Sequence, residues 1–244
     1  MNALDEMERD AADRPLNDLA AWYPLLVTTG VPTPRTRLVR TRVELLDLCD
    51  GKTPAGFDGF IAKLRVAADS LGGAPIFLRT GHTSQKHGWR KTCYVADLDA
   101  LPRHVAELTE FSAIADMLGL PTESWVVREF LELDARFVAF DGMPVAAERR
   151  FFVAGGRVVC HHPYWPEHVF EDGAQALDPN WRALLAETNA ITESELPVLM
   201  PMAERVAQVF HDWSVDFARA KDGTWYAIDM ALARTSWHWP ECTA

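Results

Sequence analysis

Three glycine-containing turn signals constrain this chain most. Asp141-Gly142, Gly155-Gly156 and Asp222-Gly223 each separate runs rich in Val, Phe, Tyr and Trp. Asp-Gly and Gly-Gly supply the positive φ angles that close a tight hairpin, and the flanking residues suit pleated, half-buried strands. From Ser124 onward the sequence therefore predicts a largely antiparallel sheet. One helix interrupts it at about 197–211, carrying Met202, Val206 and Phe210.

Upstream the hydrophobic period is mixed. Residues 1–20 read as a frayed or weakly helical lead-in, after which Leu25-Leu26-Val27 runs into the extended Gly30-Val31-Pro32-Thr33-Pro34. Thr41-x-x-Glu44 before Leu45-Leu46 has the form of a capping box, with Gly51 as the stop. A helix is expected over about 58–70 (Phe60, Ile61, Leu64, Ala68) and another over about 100–118 (Val105, Leu108, Ala115, Leu118). Between them Pro75-Ile76-Phe77-Leu78-Arg79 reads as a strand, Thr80–Lys91 as a polar loop and Thr92-Cys93-Tyr94-Val95 as the returning strand. No repeat or low-complexity tract is present. The fold class is α+β, helices packed on mostly antiparallel sheet.

At 244 residues and 48% hydrophobic the chain can bury a real core. A net charge of -11 argues against a general nucleic-acid or membrane-surface binder. The opening fifteen residues are acidic and unlike a signal peptide, and no apolar run approaches the ~20 residues of a membrane span, so a cytoplasmic protein is expected. Cys49, Cys93, Cys160 and Cys242 are scattered without a C-x-x-C pair. They read as buried free thiols, neither zinc ribbon nor redox motif.

Turn counting assigns register. A two-residue turn at Asp222-Gly223 pairs Lys221 with Thr224 and sets Asp216 opposite Asp229, their Cβ atoms roughly 5 Å apart. Facing carboxylates need compensation, and Mg²⁺ supplies it. The alternative is that one aspartate is protonated or paired with an arginine such as Arg234. The turn at Gly155-Gly156 sets Arg150 opposite His161, with Glu148, Arg150 and Phe152 on one face and Arg149, Phe151 and Val153 on the other. Arg150 then suits bidentate phosphate recognition, or else a surface pair with Glu148. The loop Gly81–Lys91 is small, hydroxylated and basic, as phosphate-wrapping loops are, though without Walker spacing. His161 and His162, adjacent on a strand, point to opposite faces and suit a substrate-facing or core role better than one shared ion.

The order of these parts, with Val126-Val127-Arg128-Glu129-Phe130-Leu131, a Glu-x-Arg hairpin, Val-Asp-Phe and Ile-Asp-Met, resembles the ATP-grasp superfamily. Within it the chain is similar to the branch of initiation-factor assembly chaperones (cell-division-cycle proteins) and their bacterial and phage relatives, over about 75–240. The resemblance implies two α+β subdomains sandwiching ATP. It divides the chain into an N-terminal helical or entry region at 1–74, a small subdomain with the phosphate loop at 75–123 and a large antiparallel subdomain with the metal site at 124–244. It implies phosphate contacts from Arg79, Ser84 and Lys86, and an adenine-bonding hinge of Glu129, Phe130 and Leu131. Ribose falls to Glu132 or Asp134, the γ-phosphate to Arg150 and Mg²⁺ to Asp216 and Asp229, with Arg150 and Lys86 as catalytic residues.

Two departures stand out. Arg79 replaces the family's usual lysine, and Ala231 stands where its last motif often carries an asparagine ligand. A full N-terminal substrate domain is expected to be reduced or absent. Two functions follow from the resemblance. One is an ATP-dependent carboxylate–amine (or carboxylate–thiol) ligase acting through an acyl phosphate, releasing ADP and phosphate, on a small-molecule or protein acceptor. The other is a non-ligase ATP-binding assembly module, favoured by Ala231 and the resemblance to chaperones, while exposed Trp237, His238 and Trp239 suit either a substrate pocket or a partner surface. A lysyl-AMP nucleic-acid ligase would need Lys-x-Asp-Gly, which neither Asp141-Gly142 nor Lys221-Asp222-Gly223 supplies.

Overall fold

A computed structural model describes residues 3–115, 119–171, 178–240 and 242, with side chains of 3–8 and 10 left out of the description. The chain opens on helices α1 (Ala3–Asn17) and α2 (Leu19–Thr28), followed by strand β1 (Thr36–Arg40), helix α3 (Phe57–Asp69), β2 (Ile76–Thr80) and β3 (Tyr94–Val95). Helix α4 (Leu101–Ile114), β4 (Ser124–Glu129), β5 (Ala135–Ala139), β6 (Met143–Ala146), β7 (Glu148–Ala154) and β8 (Arg157–Pro163) come next. The remainder is α5 (His168–Glu171), α6 (Trp181–Asn189), α7 (Leu196–Ala207), β9 (Trp213–Arg219) and β10 (Trp225–Leu232). No helix among the described residues is long and apolar enough to cross a membrane.

These elements form two compact units. One is Pro34–Leu131 with Ala139–Met143, the other Met1–Thr33, Glu132–Val138 and Pro144–Ala244. The boundaries expected at 74/75 and 123/124 both fall inside the former. The reason is strand insertion: β4 lies between β1 and β2 in an antiparallel sheet of order β1-β4-β2-β3, so residues on both sides of each boundary share one core. Helices α3 and α4 cover that sheet with Phe60, Ile61, Leu64, Val105 and Leu108 against Ile76, Leu78, Trp125 and Val127. The expected spacing of apolar residues thus gives both helices, although Leu118 lies outside the described residues.

The capping box does not form. Thr41 Oγ1 accepts from Val43 N at 3.1 Å, Glu44 makes no side-chain cap, and Leu45–Asp50 is a short 3₁₀ helix closed by Gly51. Thr41 N is committed to Glu123 O at 2.9 Å, which holds the residue at the sheet rather than at a helix start.

The other unit carries an antiparallel sheet of order β10-β9-β7-β8 and the β5–β6 ribbon. Helix α7 packs on β7, β8 and β9 through Leu199, Met202 and Val206. The lead-in is helical rather than frayed: Asp18 caps α2 through Ala20 N at 2.8 Å, and Arg234 donates to both carboxylate oxygens of the buried Asp13. Two helices, α5 and α6, are not signalled by the sequence. In nine residues α6 buries only Trp181, Leu185 and Thr188, too thin a stripe to read.

Both counted turns carry corrections. At Gly155-Gly156 (φ 56° and 78°) the two-residue turn forms, pairing Ala154 with Arg157. A bulge between Phe152 and Val153 then shifts the register, so Arg150 faces His162 and not His161. At Asp222-Gly223 Lys221 leaves the ladder, donating its N–H to Glu132 O at 2.8 Å, and Ala220 pairs with Thr224. A bulge between Ala227 and Asp229 restores the register, and Asp229 faces Asp216 after all.

Arg149 on β7 is the buried tie of this unit. Its guanidinium donates to Glu195 Oε2 (2.8 Å) and Oε1 (3.3 Å), and to the carbonyls of Glu148 (3.0 Å), Thr188 (2.9 Å) and Ala190 (2.9 Å). Every donor of the fork is used. Glu195→Ala should therefore cost about 3–5 kcal/mol in urea unfolding, since it strands a buried charge. Asp99→Ala, which breaks the exposed pair with Arg65, should cost under about 1 kcal/mol. Equal losses would show that Arg149 does not hold the unit together.

Candidate functional site

In the unit Pro34–Leu131, β2 ends in Arg79 and Thr80 and hands over to the loop read as phosphate-binding. Arg79 is buried, its Nε donating to Thr80 O at 3.1 Å. The loop's hydroxyls hold the loop itself. Thr80 Oγ1 accepts from His82 N (3.2 Å) and Thr83 N (3.0 Å), Thr83 Oγ1 from Gln85 N (3.1 Å), and Thr92 Oγ1 donates to Gln85 O (2.7 Å). Those amides are thus spent internally, and Ser84 and Lys86 are half-buried. Gly88 sits close to its neighbour: a Cβ there would lie 3.0 Å from Thr92 Cγ2, so a side chain would need Thr92 to give by a few tenths of an ångström. His87 stacks on Phe140 at 4.0 Å, and burial, then Lys86, lowers its pKa.

The expected hinge follows β4. Glu129 is occupied: its carboxylate takes Arg35 N (2.7 Å) and Nε (2.6 Å), and its own N–H donates to Arg35 O (3.0 Å). Phe130 packs into an aromatic cluster that the sequence does not announce, 5.0 Å from Tyr94 and 6.4 Å from Trp89, the latter two stacked at 5.8 Å. Leu131 follows, half-buried.

In the other unit, Glu132 is exposed, 3.5 Å from Lys221 Nζ, and Asp134 lies 3.6 Å from Arg219. The main constellation is on the sheet. Asp229 pairs with Asp216, Asp216 with Arg150 and Arg150 with His162, so one row of polar side chains crosses β10, β9, β7 and β8. Arg150 Nε and Nη2 grip Asp216 Oδ1 and Oδ2, each at 2.7 Å. Its Nη1 donates to Trp237 O at 3.1 Å, and its Cζ lies 4.8 Å from the Tyr164 ring centroid. The arginine that holds Asp216 is therefore Arg150, while Arg234 is bound to Asp13. No Glu148–Arg150 surface pair forms, Glu148 being buried.

Burial works against the Arg150 charge. Asp216, by charge and hydrogen bonds, then Tyr164 and Asp229, more than offset it, and the guanidinium is held charged above its ordinary range. His162 is pushed down to about 4, first by burial, against the bond to Pro163 O, with Arg150 and His238 adding to the fall. Asp216 spends one lone pair per oxygen on Arg150, so its carboxylate retains acceptor capacity. With Asp229 opposite, the donor set fits a hard divalent cation completed by water and phosphate oxygens.

The sequence could not show the Arg150–Asp216 contact, because the pairing of β7 with β9 spans a long stretch of chain without a turn. Nor could it show His162 in the row, since a bulge carries it there. Adjacent alternation was readable: His161 packs on Phe151 at 5.1 Å while His162 lies on the opposite face beside His238. Of the cysteines, Cys93 is buried, Cys49 is exposed, and Cys160 and Cys242 are half-buried and converge on His238.

Residues 70–243 match a family of ATP-grasp domains, the third family of its clade, over a span that includes every residue of the row. Among solved structures the chain resembles C-terminally truncated Cdc123 from Schizosaccharomyces pombe, with 14% identity, covering 89% of this chain and 84% of that one, TM-score 0.50. It also resembles N5-carboxyaminoimidazole synthase from Aspergillus clavatus in complex with ADP and 5-aminoimidazole ribonucleotide (12% identity, 94% and 49% covered, TM-score 0.51). A third is VanG D-Ala:D-Ser ligase from Enterococcus faecalis (10% identity, 88% and 52% covered, TM-score 0.51). At such identities the likeness is one of fold. The chain spans 49% to 58% of the length of the ligase and RimK-domain structures it matches. No curated protein sequence matches it.

Asp216→Asn should destabilise the nucleotide-free protein by about 2 kcal/mol, because Arg150 loses a charged acceptor. Asp229→Asn should cost less than Asp216→Asn, because it removes the charge facing Asp216 and weakens the acceptor of Met230 N while leaving the Arg150 fork intact. Equal losses in urea melts would place the guanidinium on both aspartates. The depressed His162 pKa gives a second test. Folding favours neutral His162, so its contribution is present above the unfolded value near 6.5 and is lost as pH falls toward about 4. His162→Gln should flatten the stability–pH curve in that window by up to one proton, about 1.4 kcal/mol per pH unit. An unchanged slope would show that His162 does not titrate there.

Proposed function

We propose, from the premise that this chain belongs to the ATP-grasp domain family matched over residues 70–243, that it binds ATP with Mg²⁺ and acts as an ATP-dependent ligase. The γ-phosphoryl group would pass to a carboxylate oxygen of the acceptor, giving an acyl phosphate and ADP. An amine or thiol would then displace phosphate from the acyl carbon. The observation that carries the reading is the cross-strand row of Asp229, Asp216 and Arg150, a fixed cation beside two facing carboxylates.

The roles divide by chemistry. Arg150, kept charged on a rigid strand, would meet the terminal phosphate bidentately. Asp216 and Asp229 would hold Mg²⁺, which when bound neutralises charge developing on the phosphates. Lys86 and Ser84 would reach the phosphates from the loop after β2, with Arg79 behind them. Since the Glu129 amide and carboxylate are both taken by Arg35, adenine would depend on the backbone of Phe130 and Leu131. Glu132 or Asp134 would hold ribose.

A second reading, an ATP-binding assembly module without ligase chemistry, is favoured by Ala231. It pairs with Ser214 on β9 and offers no side-chain ligand. Release of ADP and phosphate in the presence of carboxylate and amine acceptors separates the two.

Mg-ATP at a hundredfold excess over its Kd should stabilise the protein by about 2.7 kcal/mol, and ATP in EDTA by less. Arg150→Ala should weaken ATP binding by about 1.5–3 kcal/mol more than ADP binding, because the lost contact is to the terminal phosphate. An unchanged Tm at saturating Mg-ATP would defeat the reading. Equal weakening of both nucleotides would reduce Arg150 to the partner of Asp216.

A further inference from the structure

The face of β7 and β8 that carries Arg150 and His162 also carries Phe152 and Cys160, and the chain beyond β10 returns across it. Ser236 Oγ lies 2.6 Å from Ser214 Oγ, Trp237 O accepts from Arg150, and the His238 ring lies 4.3 Å from that of Phe152. His238 Nε2 stands 2.9 Å from Cys160 Sγ. Cys242 closes the group, its N–H on Trp239 O at 2.9 Å and its Sγ donating to His161 O at 3.7 Å. Cys160 Sγ, one His238 ring nitrogen and Cys242 Sγ all lie within 4.8 Å of one another, the only such group among the described residues.

We propose that Cys160, His238 and Cys242 form a metal site for Zn²⁺ or a similar thiolate-preferring divalent ion, which fastens the backbone around His238 and Cys242 to β8. Nothing in this depends on ATP binding. Zn²⁺ takes thiolates at about 2.3 Å and imidazole at about 2.0–2.1 Å, which sets tetrahedral ligand atoms about 3.6–3.8 Å apart, within easy side-chain adjustment of the spacing present. The imidazole is oriented for the task. His238 Nδ1 lies 3.2 Å from Trp239 O, and an N–H donated there leaves the Nε2 lone pair facing Cys160. Two cysteines and one histidine match the preference of Zn²⁺ over Mg²⁺, and leave a fourth position for water.

A nucleophilic role for Cys160 fits the surroundings less well. Burial, and then Cys242, push its thiol up to about 12, away from the thiolate a nucleophile needs. A metal ion supplies the missing charge: binding forms two S–metal bonds and one N–metal bond and releases the two thiol protons to solvent. Affinity should accordingly rise with pH.

The test uses the full chain, reduced with a phosphine, and Zn²⁺ alone as the probe. Elemental analysis after dialysis should give one zinc per chain, and Co²⁺ loading should give a thiolate-to-cobalt charge-transfer band in the near ultraviolet. Cys160→Ser, His238→Gln and Cys242→Ser should each weaken Zn²⁺ binding about 100-fold or more, the upper end of what even ligand-orienting residues cost. Cys49→Ser, an exposed cysteine outside the group, should bind as the wild type does. Failure of the reduced wild type to take up zinc overturns the proposal, including the case where it is isolated with Cys160 and Cys242 joined as a disulfide. So does retention of zinc by the triple variant. Should a single variant not fold, the cobalt spectrum of the wild type decides alone, and a spectrum without the thiolate band rejects the site.

Discussion

Two consecutive arginines on β7 set up the larger unit, and the pleat of the strand gives them opposite tasks. Arg149 points to α7 and spends all of its donors on Glu195 and three carbonyls. A buried charge with five acceptors admits one position only: slipping β7 by one residue would bury Arg150 there and leave an unmatched fork in the core. Whatever its net worth in stability, this contact fixes register. Once Arg149 is fixed, Arg150 must face the other side, opposite Asp216 on β9 and His162 on β8.

Charge balance along the resulting row is the chemical outcome. Arg150 offsets the charge of Asp216 through two hydrogen bonds, and Asp216 keeps further acceptor capacity opposite Asp229. Under the proposed function that capacity is what a cation would use. An arginine bonded to a carboxylate is also held in one rotamer, which lowers the entropy lost when it meets a phosphate. Tyr164 beneath the guanidinium and Trp237 O beside it add to that restraint.

The sequence made local facts legible and long-range ones opaque. Helical spacing gave α3, α4 and α7, and the β-rich run gave β2. Asp-Gly and Gly-Gly pairs placed the hairpins. Register then depended on bulges that no residue type announces. At Gly155-Gly156 one bulge exchanged His161 for His162 as the partner of Arg150. At Asp222-Gly223 two departures cancelled: Lys221 was drawn out of the ladder by Glu132, and a bulge before Asp229 returned the lost residue. Asp229 therefore faces Asp216 although the turn that connects their strands is not the two-residue one. Contacts between distant strands are invisible in principle, so the sequence does not show that Arg150 and Asp216 hold each other. The scattered cysteines fall under the same limit, since spacing in sequence says nothing about a tail that folds back onto β8.

That returning tail links the two sites physically. Trp237 O takes a hydrogen bond from Arg150, and His238, the next residue, faces Cys160. An ion bound by Cys160, His238 and Cys242 would fix the backbone on which Trp237 O is carried, and with it one of the acceptors that orient the guanidinium. Peptide planarity makes the coupling stiff over a single residue. The effect on Arg150 would be one of position and not of charge, because a Zn²⁺ site of two thiolates and one neutral imidazole carries no net charge. Under the proposed functions, zinc would therefore sharpen phosphate recognition without competing for the carboxylates that hold Mg²⁺.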